Sequence, residues 1–162
     1  MTGKAAFTDE EWERVRRAPS VAGMAISLAD PGGPIELSKE TMATLRGIGA
    51  PPTQDELLIT VSQEVMAMSQ QRENPMKGFT VADKSQVGAS VLQELREVQD
   101  VVEAKATPDE ASAFARWMVE VAQDAANAAK EGGFMGFGAE QVSKGEQDML
   151  DQLRTTLGVT EG

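Results

Sequence analysis

The stretch Thr107 to Gly133, TPDEASAFARWMVEVAQDAANAAKEGG, sets the reading of the whole chain. Thr107 and Glu110 form a capping box, a hydroxyl at the N-cap and a carboxylate three residues on, and Pro108 stands where a helix tolerates proline best. Phe114, Met118, Val121, Ala122, Ala125 and Ala129 then recur at helical spacing on one side. Arg116, Glu120, Asp124, Asn127 and Glu131 occupy the other. Gly132 and Gly133 close the run as a C-cap does. The spacing predicts an amphipathic helix over Pro108–Glu131.

Similar punctuation recurs on both sides of it. Thr8 with Glu11, Thr53 with Glu56 and Ser143 with Glu146 repeat the capping box. Asp9 to Ala18 carries acids in its first turn and Arg16 and Arg17 in its last, which complements the helix dipole, and Pro19 is expected to break it. Ser20 to Ala29 is apolar all round and predicts a short buried helix. Asp30 to Pro34 predicts a turn, Ser38 to Arg46 a helix, and Gln54 to Arg72 a longer one with Leu57, Val61, Val65 and Met68 in register. Val87, Val91, Leu95, Val98 and Val102 give Ser85 to Ala104 a packing seam, which could also serve a dimer face. Met149, Leu150, Leu153 and Leu157 mark a last helix ending at Gly158. No alternating pattern survives between these runs. The expectation is an all-α, single-domain bundle of about seven helices over residues 1–162.

Composition narrows the chemistry. The 162 residues hold no histidine, cysteine or tyrosine. Imidazole bases, thiolate nucleophiles, zinc knuckles and the Glu-x-x-His ligands of di-iron bundles are therefore excluded. Hard-cation binding on carboxylate oxygen remains, as does catalysis by carboxylates, lysine and hydroxyls, the less favoured course. There are 26 Asp and Glu against 15 Lys and Arg, a net charge of −11. The excess is concentrated from Glu94 onward, with 14 acids against 6 bases, whereas the first 93 residues have 12 against 9. Such a balance argues against nucleic acid or an anionic membrane surface as partner. Met1 to Phe7 has no apolar h-region and no stretch approaches the length of a membrane span. A cytoplasmic location is the expectation, and the lack of cysteine agrees with it.

Two segments look alike when laid from their tryptophans. Ser38 and Ser143 each lie 26 residues after Trp12 and Trp117, and Leu45 and Leu150 each lie 33 after. Both segments pass through a Gly-Gly turn, Gly32-Gly33 and Gly132-Gly133. A duplication would relate residues 8–50 to 108–158 by a pseudo-twofold axis, flanking a helical hairpin at 53–105. Two amphipathic hairpins using common turn residues would give the same pattern.

The string Ala-Asp-Pro-Gly-Gly-Pro-Ile-Glu-Leu-Ser-Lys-Glu, Ala29 to Glu40, resembles the Ala-Asp-Gly-x-Ile-Ser-x-x-Glu turn of tellurite-resistance TerB-like domains. Lys130 to Glu146 resembles it in a longer form. Pro31 intervenes after Asp30, and the second turn lacks the Asp. The resemblance implies an all-α domain of two related halves, each with an acidic inter-helix turn associated with divalent cations. Carried over, it marks Asp30 and Glu40 in the first turn and Glu131 and Glu146 in the second as ligands for Ca or Mg. Glu146 can equally be a capping carboxylate and Asp30 a helix or turn cap. No EF-hand start is present in either loop.

The alternative reading is a metal-free interaction or scaffold protein. Its docking element would be the loop Gly132 to Gly138, where Phe134, Met135 and Phe137 offer apolar surface on an adaptable glycine backbone, with Phe79 as a companion. The same aromatics could instead plug the end of the bundle. Met66 and Met68 lie two apart on a helix and point in different directions, so they read as core filling rather than a copper site. Glu120 and Asp124, one turn apart beside Arg116, read as a solvated face. Phosphate-loop, dinucleotide and nucleophile-elbow motifs are absent.

Overall fold

The computed structural model describes residues 3–29, 34–80, 86–131 and 144–159, without the side chains of 34–36 and 129–131. After a single 3₁₀ turn, Lys4–Ala6, come α1 (Asp9–Ala29), α2 (Pro34–Ile48), α3 (Glu56–Gln70), α4 (Val87–Lys105), α5 (Pro108–Glu131) and α6 (Lys144–Leu157). No strand occurs among the described residues, and none of their helices is long and apolar enough to cross a membrane.

Among the described residues the expected seven or so helices are six, because Pro19 does not break the first. It sits inside α1, buried, and the helix runs through to Ala29. An interior proline costs about 3 kcal/mol through its missing N–H and its clash with the preceding turn. Here Trp12 and Val15 before it and Val21, Ala22, Ala25 and Ile26 after it are all buried in one core. A large buried apolar side chain contributes roughly 1.5–3 kcal/mol, so several of them on both flanks outweigh the break.

α1 and α5 form the centre, each packing against the other and against all four remaining helices. α5 can do so because alanine dominates its sides: Ala111, Ala113, Ala115, Ala122, Ala125, Ala126 and Ala128 are buried together with Phe114, Trp117, Met118 and Val121. Small residues let neighbours approach closely, so α5 is covered well beyond the stripe its periodicity shows. Arg116, Glu120, Asp124 and Asn127 stay outside, as read. α2 lies most extensively along α5, while α6 divides its packing among α1, α4 and α5. The two tryptophan-led units therefore pack unequally. α3 and α4 sit on α1 and α5 and hardly meet each other.

Two of the capping boxes form. Thr8 N–H donates to Glu11 Oε1 at 2.8 Å and Glu11 N–H to Thr8 Oγ1 at 3.1 Å. Thr107 and Glu110 exchange the same pair at 3.3 and 3.2 Å. The box expected at Thr53 and Glu56 does not form. The helix starts at Glu56 with Asp55 at the N-cap, and the Thr53 hydroxyl donates to the Asp55 carboxylate at 2.6 Å. Ser143 lies outside the described residues.

Candidate functional site

Of the residues read as cation ligands, Glu40 and Glu146 are described with their side chains, and both turn inward. Glu40, on α2, is 3% exposed and accepts a hydrogen bond from Ser27 Oγ on α1, which ties the two helices together. Glu146 is 6% exposed in the first turn of α6. Asp30 lies outside the described residues, and of Glu131 only the helical backbone falls within them. Among the described residues no three acids gather as a metal site would require. Phe134, Met135 and Phe137 also lie outside them. Phe79 is half-buried and packs against the core beside Met76.

Most of the charge that is well placed serves packing. Arg14 and Arg17, one turn apart on α1, both grip the buried Glu94 of α4. Arg14 Nη2 donates at 2.7 Å and Arg17 Nη2 at 3.0 Å, with Glu97 taking a further bond from Arg14 at 3.2 Å. A buried carboxylate is tolerable when charge-assisted bonds of this kind satisfy it. The loop after α3 lies on this clamp: at Gly78, φ +93°, a Cβ would stand 2.8 Å from Arg17 Nη1. A second corner joins α1 to α3, where Trp12 Nε1 donates to Glu64 Oε1 at 3.1 Å and Lys4 and Arg16 approach at 3.3 and 3.4 Å. Partial burial pushes the Glu64 carboxyl up, but the bonds from Trp12, Lys4 and Arg16 outweigh it and hold it below its usual range. Glu120 and Asp124 are both exposed, as a solvated face should be.

A different arrangement occupies the side built by α1, α2 and the end of α3. A hollow of about 440 Å³ opens there, walled by Met24, Leu37, Leu45, Pro75 and Met76 over a floor of small hydroxyl residues. That size suits a ligand or a few side chains of a partner. Its depth depends on Gly23, where α1 and α2 come so close that a Cβ would stand 2.9 Å from the Thr44 Cβ. The large apolar residues that remain exposed among the described ones are Leu28 at 39% on the last turn of α1, Leu37 at 52% at this hollow and Met42 at 62% on another side of α2.

One base at this hollow is unusual for the chain. Seven of the thirteen Lys and Arg residues with described side chains make ion pairs within 4 Å. Six do not among the described residues, and of these Arg72 lines this hollow, Lys39 and Arg46 stand with Met42 and Ala128 on another side of α2, and Lys77 follows in the loop after α3. Arg72 lines the hollow beside Glu73 and holds a left-handed backbone, φ 60°. It occupies the C′ position of α3, where Glu73 N–H bonds Met68 O at 2.8 Å and Arg72 N–H bonds Ser69 O at 3.0 Å. Glycine is the usual residue at such a cap. A strained non-glycine residue at the edge of a hollow points to a use for its side chain.

None of this was legible along the chain, because the groove is assembled from residues more than fifty positions apart. The one available signal was Arg72 standing where a helix end would ordinarily take Gly or Asn. Comparisons with family models, curated proteins and solved structures give no match to this chain, so its own geometry carries the functional reading.

Proposed function

We propose that the protein is a non-enzymatic helical interaction module whose α1–α2 groove receives an amphipathic segment of a partner protein, apolar on one side and acidic at its flanks. The observation that carries this is the meeting of two features on one face. Leu37 is exposed at the wall of the hollow, and Arg72, which makes no ion pair within 4 Å among the described residues, lines the same hollow, while Lys39, Met42 and Arg46 lie on another side of α2. Apolar side chains supply affinity in such a groove, and complementary charge supplies orientation and selectivity.

The test uses two synthetic amphipathic helical peptides with the same leucine face, one flanked by Glu and one by Lys, followed by fluorescence anisotropy. A protein of net charge −11 should attract the Lys peptide over its surface as a whole. Tighter binding of the Glu peptide, weakened about tenfold or more by Leu37→Asp, supports the groove. Equal binding, a preference for Lys, or a dimer in light scattering that Leu37→Asp dissolves would overturn it.

A divalent-cation role for the acidic turns, implied by the TerB-like resemblance, is the second reading. It rests on carboxylate oxygen being the donor that hard cations take; Glu40 is buried against Ser27 Oγ, and among the described residues no three acids gather beside it or Glu146. Calorimetry with Ca²⁺ and Mg²⁺ at millimolar levels decides it: heat lost in Glu40→Gln sustains it, and no heat above dilution removes it.

A further inference from the structure

The second large hollow, about 460 Å³, lies among α4, the start of α5 and the end of α6. Its character differs from the groove. Gln99 of α4 is 2% exposed and forms part of the floor. Its Nε2 donates to the Ala111 carbonyl at 3.0 Å, which fixes which end of the amide is nitrogen, and more weakly to Glu103 at 3.4 Å. Its Oε1 is buried and accepts no hydrogen bond among the described residues. Buried acceptors are nearly always satisfied, so an orphan at the floor of a cleft marks a place for a donor.

The charges of the cleft sort into used and unused. Arg96 is used: it donates to Asp100 at 2.9 Å, to Glu103 at 3.3 Å and to the Thr156 carbonyl at 2.7 Å, clamping α4 to the end of α6 and neutralising Glu103. Arg116 makes no ion pair within 4 Å among the described residues, and Ser112 stands one turn before it on α5. Guanidinium and hydroxyl at that spacing share one helix face and suit a carboxylate. Ala111, Ala115, Leu157 and Val159 leave the remaining wall apolar.

We propose that this cleft binds a small carboxylate whose anionic end lies on Arg116 and Ser112 and whose neighbouring N–H or O–H donates to Gln99 Oε1. Glu103, exposed and sharing the Gln99 amide, is the side chain that the ligand displaces to reach that oxygen. Specificity follows from the buried acceptor, since an analogue of the same shape without the donor leaves it unsatisfied and binds about tenfold or more weakly.

The experiment is chemical-shift mapping on the whole chain with three probes: N-acetylleucine, its N-methylated form without the donor, and its methyl ester without the charge. The expected result is saturable shifts on α4, α5 and α6 with N-acetylleucine, much weaker with both analogues, lost in Arg116→Gln and unchanged in Leu37→Asp. Arg116 is exposed, so the variant should fold as the parent does. No shift at tens of millimolar, shifts located on α2, or equal binding of the N-methylated probe would each overturn the proposal. The peptide experiment on the groove stands or falls independently of it.

Discussion

The two hollows end on the same kind of helix cap, and the caps differ by one residue type. α3 closes beside the apolar groove with Arg72 in the left-handed conformation, φ 60°. α6 closes beside the polar cleft with Gly158 at φ 71°, where Val159 N–H bonds Arg154 O at 2.9 Å and Gly158 N–H bonds Thr155 O at 3.4 Å. The backbone solution is the same, but the side chain is a cation in one case and nothing in the other. The groove gains a charge at its edge and gives up some stability for it. The cleft keeps its charge on α5 and leaves its cap unstrained. Recognition in this bundle is thus written at helix ends and close crossings, while the central packing of α1 on α5 is common to both sides.

The largest expected effect attacks the crossing that only the groove has. Gly23→Ala should cost about 2 kcal/mol by overpacking against Thr44 and abolish binding of the acidic peptide, both read by denaturant unfolding and anisotropy. Adding Thr44→Ala should recover part of the stability, since the outer two atoms of the clash are then gone. Full stability in Gly23→Ala alone would mean that the helices are not held at this distance.

Next come the caps, with opposite signs. Gly158→Ala should destabilise by about 1 kcal/mol although nothing stands within 4 Å of the added Cβ, because the backbone conformation itself is unfavourable. Arg72→Gly should stabilise by about 1 kcal/mol for the same reason and weaken the Glu-flanked peptide. A destabilised Arg72→Gly protein would show that the guanidinium supports the fold and that the strain reading is wrong.

The smallest effect separates paired from unpaired charge. Glu64 and Glu11 are held below the usual carboxylate range, Glu64 against its partial burial and Glu11 chiefly by the hydrogen bond from Lys105. A depressed carboxyl contributes stability that is present above its unfolded pKa and lost as the pH falls through the folded one. Thermal stability should therefore decline below the ordinary carboxylate range, with Trp12 fluorescence changing alongside, and Glu64→Gln should show a shallower decline. Arg72 makes no ion pair within 4 Å among the described residues, so Arg72→Gly should leave that slope unchanged.

What could be read along the chain was what depends on neighbours within a helical turn or two. Thr8–Glu11 and Thr107–Glu110 formed as read because each partner lies three residues from the other. The bounds of α5 were legible from Pro108 to Glu131 for that reason. Thr53–Glu56 was misread because Asp55, nearer the helix start, takes the N-cap. Glu40 and Glu146 were read as cation ligands, Glu146 equally as a capping carboxylate, and whether such a carboxylate turns inward depends on what the neighbouring helix presents, here Ser27 for Glu40. Gln99 drew no attention because its meaning lies in the Ala111 carbonyl and the Arg116 face of another helix.

By itself the sequence determined an all-helical chain, its strongest caps, its excluded chemistries and its acidic balance, since periodicity, capping and charge are local or additive properties. The tertiary structure alone decided that α1 runs through Pro19, that α1 and α5 take the centre, and that one hollow is apolar and cation-edged while the other hides an amide oxygen. Those outcomes are sums over contacts between residues distant in the chain, where burial of many side chains overrides the preference of any one.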